Sequence, residues 1–449
     1  MDCEGLTGKV IVPGDPGYER ARQDYNRAIS QYPAMIVYCT DSRDVANAIC
    51  RAEKDGLGLR VRSGGHDYEG YSNGTGKLVI DTSLLNQVRI NLQDATVKVQ
   101  AGTRLLSLYE QLYEYGYAFP GGTCPTVAIS GLILGGGIGL STRYLGLTAD
   151  SLLEVTMINY AGEQLVANRQ CNSDLFWALR GAGGGNFGVV TDYTFRLEKV
   201  DQITVIQLRW DNNKAARDRF MPLWQEWLPG LDCRMSAFGG IYPAGAWLNG
   251  FFYGTTETAR QLLRPFLAIP GLTLEITMYV PFIDAIKIIG AIYPKSETFQ
   301  AAGRFVQKTL SKGQLDTLIH IIEQAPSERD SSIRVYSLGG AVRDVKTEET
   351  AFAYRQADYI MALMSAWKKK DEARAHRRWI MQGFCFIETF TRGSYINFPY
   401  NRTQGYLQAY FGKNLPRLQE IKAAYDPYNV FRFPQSLQPP LRSGRMSRG

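Results

Sequence analysis

The first two hundred residues alternate short apolar runs with single amphipathic segments. The segment 105–115 places Leu105, Leu108 and Leu112 on one face and ends before Gly116, which predicts a helix. A second helix is predicted at 174–180, closed by Gly181. Strands are predicted at 34–39, 59–62, 78–81, 96–100, 151–159 and 189–197. This order indicates an α+β arrangement.

From about residue 203 the pattern changes, because glycine runs disappear and aromatic residues become frequent. Alternation of apolar and polar positions predicts an antiparallel sheet with helices on one side. Its strands are predicted at 203–210, 236–242, 247–253 and 272–280, with continuations at 334–345 and 354–364. Helices are predicted at 214–228, 256–268 and 311–323.

Two glycine-rich stretches interrupt the first part, at 121–150 and 181–188. Glycine allows the main chain to approach a flat or phosphorylated ligand, and successive free N–H groups bind anions. Residues 183–188 fit G-x-G-x-x-G, but the predicted order is helix, loop, strand. A dinucleotide fingerprint requires the strand first and the helix afterwards, so a Rossmann domain is not expected.

Composition narrows the classes of function. The 449 residues carry a net charge of +7, but the basic residues are dispersed, so nucleic acid is not an expected partner. Three histidines and seven widely spaced cysteines without C-x-x-C predict no metal site. No apolar run approaches the ~18 residues of a membrane span. No signal peptide is recognised either, so a cytoplasmic protein is expected, with a secreted mature form left open.

Two side chains stand on glycine-supported loops. His66 follows Gly64 and Gly65, and Cys124 lies in Gly-Gly-Thr-Cys-Pro. Taken alone, each could simply bond or pack within its own loop. Together they place two nucleophilic groups where both can reach the same flat ligand.

These stretches resemble the berberine-bridge-enzyme-like branch of the vanillyl-alcohol-oxidase flavoprotein superfamily. The resemblance covers nearly the whole chain and keeps the order of the motifs. They are Arg62-Ser-Gly-Gly-His-Asp-Tyr68, Gly122-Thr-Cys-Pro-Thr-Val127, Gly135-Gly-Gly-Ile-Gly139, 144–150, 185–190 and 425–432.

The resemblance implies FAD attached twice, through His66 to the 8α-methyl group and through Cys124 to C6 of the isoalloxazine. It implies that residues 62–65 cradle the pyrophosphate, that 131–139 line the flavin and ribityl chain, and that the valines at 189–190 lie near the adenine. The cofactor-binding residues implied are His66, Cys124, Arg62, Ser63, Gly64, Gly65, Thr123, Val127, Gly131, Gly135, Gly136, Gly137, Gly139, Asp150, Gly188, Val190, Asn397 and Asn429.

The same resemblance implies a two-domain vanillyl-alcohol-oxidase-type fold of the α+β class. An FAD-binding domain is expected from 1–200, a substrate-binding domain with an antiparallel sheet from 201–395, and a return to the FAD domain from 396–449.

Oxidation of an alcohol by hydride transfer needs a group that accepts the hydroxyl proton. Tyr395 matches a Tyr-x-Asn segment that carries a catalytic tyrosine in related sugar and aglycone oxidases. Tyr68 matches a substrate-facing tyrosine, and Tyr144 is a third catalytic candidate. Any single one of the 26 tyrosines could instead serve only in packing.

The chain departs from the family at two places. The strand 359–363 lacks the acid or amide that relatives often carry, with Asp358 and Glu388 as possible substitutes, and Leu132 stands where many relatives have histidine. Val127 follows the cysteine by three positions, where oxygen-reactive relatives tend to have valine. The resemblance therefore predicts an oxidase that uses molecular oxygen and releases hydrogen peroxide.

Three functions compete. The favoured one is oxidation of a hydroxyl-bearing carbon of a sugar, oligosaccharide or glycosylated natural product, with Trp247, Tyr253 and Tyr279 as candidate wall residues. The alternative is an oxidase or oxidative cyclase of a bulky alkaloid or polyketide alcohol. The third is a flavin-loaded binding protein with little turnover.

Overall fold

The computed structural model describes residues 5–440. The first part of the chain forms two small sheets and a two-stranded ribbon of Tyr117–Ala118 and Glu198–Lys199, joined by short helices. Its strands are β1 Val10–Ile11, β2 Met35–Tyr38, β3 Leu59–Arg62, β4 Leu78–Asp81, β5 Val88–Asn91, β6 Thr96–Gln100, β7 Tyr117–Ala118, β8 Leu152–Ile158, β9 Gln164–Asn168, β10 Val189–Arg196 and β11 Glu198–Lys199. Its helices are α1 Tyr18–Ala21, α2 Ser42–Lys54, α3 Leu105–Tyr113, α4 Ile129–Leu134, α5 Thr142–Leu145 and α6 Ser173–Ala178.

The first of these sheets has the order β1-β2-β4-β3, in which β4 runs parallel to both β2 and β3. The second is antiparallel, with the order β5-β6-β10-β8-β9. The α2 helix begins where the Asp41 carboxylate accepts the N–H groups of Arg43 and Asp44. Strand β3 leads directly into the loop that carries His66.

The second part is one seven-stranded antiparallel sheet, ordered β15-β12-β14-β13-β17-β18-β16. Its strands are β12 Gln202–Trp210, β13 Met235–Tyr242, β14 Gly245–Phe252, β15 Leu274–Pro281, β16 Phe299–Val306, β17 Ser331–Ser337 and β18 Tyr359–Ala366. Its helices are α7 Lys214–Trp227, α8 Thr256–Leu267, α9 Phe282–Gly290, α10 Lys312–Glu323, α11 Ala341–Asp344 and α12 Ala373–Glu388.

Helices α7, α8, α10 and α12 cover one face of the large sheet. Trp210, Phe220, Trp224 and Phe384 belong to the apolar core between them. The opposite face turns toward the glycine loops of the first part. This arrangement confirms the predicted fold class, an α+β protein of two parts with an antiparallel sheet.

The strand predicted at 334–345 is wrong in its second half. Gly339 and Gly340 have positive φ angles of 86° and 53°, and the short helix α11 follows. The preceding strand ends at Ser337, because a strand cannot continue through such angles.

The last part of the chain returns to the first. Helices α13 Tyr406–Phe411 and α14 Leu415–Tyr425 follow the large sheet, and α14 packs against α6. The buried Nζ of Lys422 donates to the carbonyl of Asn186 at 2.6 Å, to Asp426 at 2.6 Å and to the carbonyl of Phe431 at 2.8 Å. The division into 1–200, 201–395 and 396–449 stays a prediction.

Candidate functional site

A cavity of about 530 Å³ lies between the glycine loops and the open face of the large sheet. His66 and Cys124 both line it. Cavities of this size are typical of sites that bind small molecules and cofactors.

His66 is fixed on two sides. Its ring stacks on Tyr25 with 4.1 Å between ring centroids, and its Nε2 lies 3.0 Å from Oγ1 of Thr126. Burial, assisted by the positive charge of Arg104, lowers the pKa of His66 to about 4. The imidazole is therefore neutral near pH 7, which is the form that can act as a nucleophile.

Cys124 lies on the loop that follows β7, with its thiol half-buried. Its Sγ is 3.6 Å from the same Thr126 hydroxyl. The loop is held by α3: the Tyr109 hydroxyl donates to the carbonyl of Gly122 at 2.7 Å, and the N–H of Leu105 donates to the carbonyl of Val127 at 2.9 Å. Thr126 thus connects the two side chains predicted to hold the cofactor.

The structure brings a further group of predicted cofactor residues to this cavity. Gly131 faces open space, since a Cβ built there would meet no atom within 4 Å. Thr123 shares a hydrogen bond of 2.6 Å with the Tyr293 hydroxyl across the cavity wall. The predicted residues that line the cavity, besides His66 and Cys124, are Ser63, Gly64, Gly65, Thr123, Val127, Gly131, Gly188, Val190 and Asn397.

Three other predicted residues hold the scaffold and do not line the cavity. Arg62 is buried and pairs with Asp81 at 2.7 Å, with Asp24 at 3.6 Å on its other side. Its side chain therefore does not line the cavity, whereas its neighbours at 63–65 do.

Asp150 forms a two-point ion pair with Arg355, at 2.6 and 3.1 Å, outside the cavity. Asn429 turns the chain at a positive φ of 51° and donates to Gln438 at 3.0 Å. Both stabilise the structure around the site without facing it.

The glycines at 135–139 pack against protein. A Cβ at Gly135 would overlap the Asn397 amide, and one at Gly139 would overlap the carbonyl of Gly121. Gly136 and Gly137 have φ angles of 103° and 83°, which disfavour other residues. None of these four lines the cavity. From this stretch Leu132, Leu134, Ile138 and Leu140 line it instead.

The three catalytic candidates have different surroundings. Tyr68 lines the cavity between Phe398, stacked at 5.2 Å, and Phe299, edge-on at 5.0 Å. Among residues 5–440 no side chain or backbone group bonds to its hydroxyl. Burial and nearby Tyr336 raise the pKa of Tyr68, while the charge of Arg334 opposes them.

Tyr395 also lines the cavity, but its hydroxyl is engaged. It accepts the N–H of Gly137 at 3.2 Å and the amide of Asn397 at 3.0 Å. The Asn397 amide also donates to the carbonyl of Leu132 at 2.9 Å. Burial raises the pKa of Tyr395.

Tyr144 lies away from the cavity. Its side chain is 41% exposed and packs on Tyr253 with ring centroids 4.4 Å apart. The Tyr253 hydroxyl donates to Ser141 at 2.6 Å. Of the three aromatic wall candidates, only Trp247 lines the cavity, and Tyr279 is 49% exposed elsewhere.

The two acids considered as substitutes are also engaged elsewhere. Glu388 pairs with Arg304 at 3.0 Å and Asp358 with Arg343 at 2.5 Å. Neither lines the cavity, so among residues 5–440 no acid from the end of β17, β18 or α12 reaches the site.

Sequence reasoning missed several lining residues on the large sheet. Arg334 and Tyr336 alternate on β17, and both face the cavity with Asn249 of β14. Their alternation on one strand face was the available signal. Tyr25 and Glu297 come from irregular segments that carry no pattern.

The lining fits a flavin cofactor. Ser63, Gly64 and Gly65 present main chain to the cavity, and the buried Ser72 hydroxyl on its wall has no partner within the described residues. A long ligand with phosphate and ring portions would use both features. His66 and Cys124 also line the cavity and supply an imidazole nitrogen and a thiol that can react with a bound ring.

Comparison with known proteins agrees with this reading. Residues 33–168 match the family described as FAD binding domain, and residues 394–438 match berberine and berberine-like. The chain is 35% identical over 454 residues to YgaK of Bacillus subtilis, an uncharacterized FAD-linked oxidoreductase, covering 98% of this chain and 99% of that protein.

Solved structures are also similar. The BBE-like 1 protein of Physcomitrella patens has a TM-score of 0.93 and 31% identity, with 98% of each chain covered. In sequence, a chitooligosaccharide oxidase of Gibberella zeae is 27% identical to this chain, over 97% of this chain and 94% of its own length.

Fold and site together define a two-domain FAD-binding oxidoreductase of the vanillyl-alcohol-oxidase type. The chain belongs to the berberine-bridge-enzyme-like family of FAD-linked oxidoreductases. Across residues 5–440, no helix has both the length and the apolar character needed to cross a bilayer.

Proposed function

We propose that this oxidoreductase removes a hydride from a hydroxyl-bearing carbon of a sugar, oligosaccharide or glycosylated natural product. The observation that carries the proposal is the placement of His66 and Cys124 in one cavity beneath a sheet face rich in polar and aromatic groups. The relative named chitooligosaccharide oxidase supports a carbohydrate substrate. Bound FAD supplies the hydride acceptor and the route of electrons to oxygen.

His66 and Cys124 would each hold the FAD covalently. The hydrogen bond from Thr126 orients the imidazole, and burial keeps it neutral. Two attachments fix a ring without a closed protein cage, which leaves the sheet side of the cavity free for a substrate. The main chain at Ser63, Gly64 and Gly65 would hold the more polar part of the cofactor.

Tyr68 is the proton acceptor that the geometry supports best. It accepts a proton only as the phenolate, which the charge of Arg334 favours and burial opposes. Its hydroxyl faces the cavity without a protein partner, and Phe398 and Phe299 fix its ring. Tyr395 is the second candidate, since its hydroxyl already accepts two N–H groups. Tyr144 has the weakest support because it lies outside the cavity.

Molecular oxygen is proposed as the electron acceptor, with hydrogen peroxide as product. Val127 lines the cavity three positions after Cys124, and its branched side chain is shorter than leucine. A smaller side chain at this position leaves space through which oxygen can approach.

A bulky alkaloid or polyketide alcohol is the second candidate substrate. Ile289, Ile292 and Tyr293 give one wall of the cavity an apolar character that suits fused rings. A peroxide-coupled screen with purified holoenzyme, across neutral sugars, acidic sugars and polycyclic alcohols, tests both. Peroxide from sugars supports the first proposal, peroxide from polycyclic alcohols alone supports the second, and silence on all compounds favours a binding protein.

A further inference from the structure

Three arginines line the cavity, Arg209, Arg329 and Arg334, and none of them forms an ion pair within residues 5–440; of the three, only Arg334 is not exposed. Nε of Arg334, at the centre of β17, donates to Oγ of Ser332 at 2.9 Å. No carboxylate of residues 5–440 lies within 4.0 Å of Arg334, and neither terminal nitrogen has a hydrogen bond there. Four buried arginines are each matched with a carboxylate: Arg62 with Asp81, Arg217 with Glu323, Arg304 with Glu388 and Arg355 with Asp150. A fifth, Arg143, is instead satisfied by the carbonyls of Leu231, Met235 and Leu338.

Arg334 lies in a row of residues paired across the sheet. Its neighbour on β13 is Gly240, and Gly240 is paired with Trp247 on β14. A Cβ at Gly240 would lie 3.1 Å from Nε1 of Trp247, so the indole lies across this glycine. Two residues along β17, Tyr336 contacts Phe238 edge-on at 4.8 Å. The guanidinium is thus set among flat rings that can receive a pyranose or an aromatic group.

The charge on Arg334 is retained inside the cavity. Burial by itself lowers the pKa of this arginine, but the neighbouring Tyr336 and Glu297 outweigh burial and raise it. Burial raises the pKa of Glu297, which weakens that carboxyl as a counter-ion. Arg334 is half-buried and its terminal nitrogens have no protein partner among the described residues, so both are available to an anion that enters the cavity.

We propose that Arg334 binds a carboxylate of the substrate, so that the enzyme takes acidic carbohydrates such as uronic acids and their glycosides. This inference rests on the proposed oxidation of a carbohydrate. Two terminal nitrogens in one plane match the two oxygens of a carboxylate. Arg209 and Arg329 also line the cavity, but both are exposed, and Arg209 lies three strands from Arg334 in the same row. The half-buried guanidinium of Arg334 therefore suits one negative charge.

The test uses a matched pair of ligands, phenyl β-D-glucuronide and phenyl β-D-glucoside, which differ only at the sugar C6 carboxylate. Binding to the holoenzyme is measured by calorimetry at pH 7.5 without oxygen. A charge-assisted pair predicts at least about tenfold tighter binding of the glucuronide. Arg334→Gln should bring the two affinities within about twofold, and Arg334→Lys, which keeps the charge without the planar fork, should retain part of the difference. Arg209→Gln is the control and should keep the wild-type ratio.

Equal binding of both ligands to the wild type overturns the proposal, even where the Arg334 variants fail to fold. So does a preference that persists in Arg334→Gln, or one that disappears only in Arg209→Gln. Bleaching of the flavin under the same anaerobic conditions reports the oxidation separately. Selective binding of the glucuronide without bleaching by any sugar counts only against the proposed oxidation. Bleaching by sugars without selective binding counts only against the proposed role of Arg334.

Discussion

Nε2 of His66 lies 3.0 Å from Oγ1 of Thr126, two residues beyond Cys124. This bond occupies one ring nitrogen and leaves Nδ1 without a partner in the described part of the chain. We expect Nδ1 to form the bond to the flavin. In a Cys124→Ala background, Thr126→Val should therefore raise the fraction of flavin that acid releases, because the imidazole loses its orientation. Full retention of flavin in that double variant would contradict the assigned role of Thr126.

The two covalent attachments proposed for FAD make a clear prediction. His66→Ala and Cys124→Ala should each keep the yellow colour in the acid-precipitated pellet, because the other bond remains. The double variant should release all of it. Intact-mass measurement checks the result, with one added FAD mass expected in each single variant and none in the double variant. Release from the wild type would disprove covalent binding.

The roles of Tyr68 and Tyr395 can be distinguished by the rate of flavin reduction in single variants. Tyr68→Phe should slow anaerobic flavin reduction by about 10²–10⁴-fold, the usual contribution of a positioned acid–base group. Tyr395→Phe removes an acceptor from the Gly137 N–H and should cost about 1–3 kcal/mol of stability, with a smaller effect on rate. Stopped-flow absorbance and thermal unfolding measure the two effects. If Tyr395→Phe instead slows flavin reduction more than Tyr68→Phe does, Tyr395 is the proton acceptor.

Oxygen reactivity should depend on the side chain at 127. Val127→Leu adds a methylene group to the cavity wall beside Cys124 and should slow reoxidation by at least about tenfold, or about 1.4 kcal/mol in activation free energy. The reduced enzyme is mixed with air-saturated buffer to measure this. Anaerobic reduction by substrate serves as the control and should change little. Equal reoxidation rates in both proteins would exclude Val127 as the determinant.

Stability should fall as pH rises from 5 to 8. Burial raises the pKa of Glu69 to about 7 and of Asp67 to about 6, so the folded state binds these protons more tightly than the unfolded state. Their contribution to folding stability is fully present below the pKa of the unfolded state. It is lost as pH rises through the pKa of the folded state.

Glu69→Gln replaces the carboxyl group with an amide that cannot ionise. This variant should therefore lose much less stability than the wild type as pH rises. Its melting temperature should exceed that of the wild type by about 1–3 °C at pH 8 and differ little at pH 5. Glu53→Gln, at an exposed position of α2, is the matched control and should follow the wild type at both pH values. An unchanged pH dependence in Glu69→Gln would show that this carboxyl is not responsible.

The buried ammonium of Lys422 should be essential for stability. Lys422→Met leaves the Asp426 carboxylate and two carbonyls without their common donor, at a cost of about 3–5 kcal/mol. Lys413→Met breaks only an exposed pair with Glu348 and should cost less than about 1 kcal/mol. Midpoints of urea unfolding, followed by tryptophan fluorescence, compare the two. Similar shifts would mean that solvent replaces the buried contacts of Lys422.

The sequence alone predicts the regular parts of the fold well where periodicity is strong. The strand predicted at 203–210 is observed as β12 Gln202–Trp210, and the helix at 311–323 as α10 Lys312–Glu323. Strand β16 and helix α9 were missed. The sequence of β16 contains Ala301, Ala302 and Gly303, which have low strand preference, and only pairing with β18 makes it a strand.

Motifs locate His66, Cys124 and their loops, but they do not show which way each neighbouring side chain points. Arg62 belongs to the same motif as Gly64, yet it turns inward to Asp81. Arg334 carries no motif, and its position in the cavity depends on the register of β17 against β13. Such placements follow from long-range pairing, which a single sequence does not reveal.

Lys422 and the amide N–H of Leu437 both bind Asn186, one to its carbonyl and one to its side-chain oxygen. The loop at 183–188 is therefore completed by residues made more than 230 positions later. During translation this loop therefore gains its final contacts only after residues 422–437 have been synthesised. We expect stable FAD binding to follow that point of synthesis, so that flavin supply at that stage influences the yield of active protein.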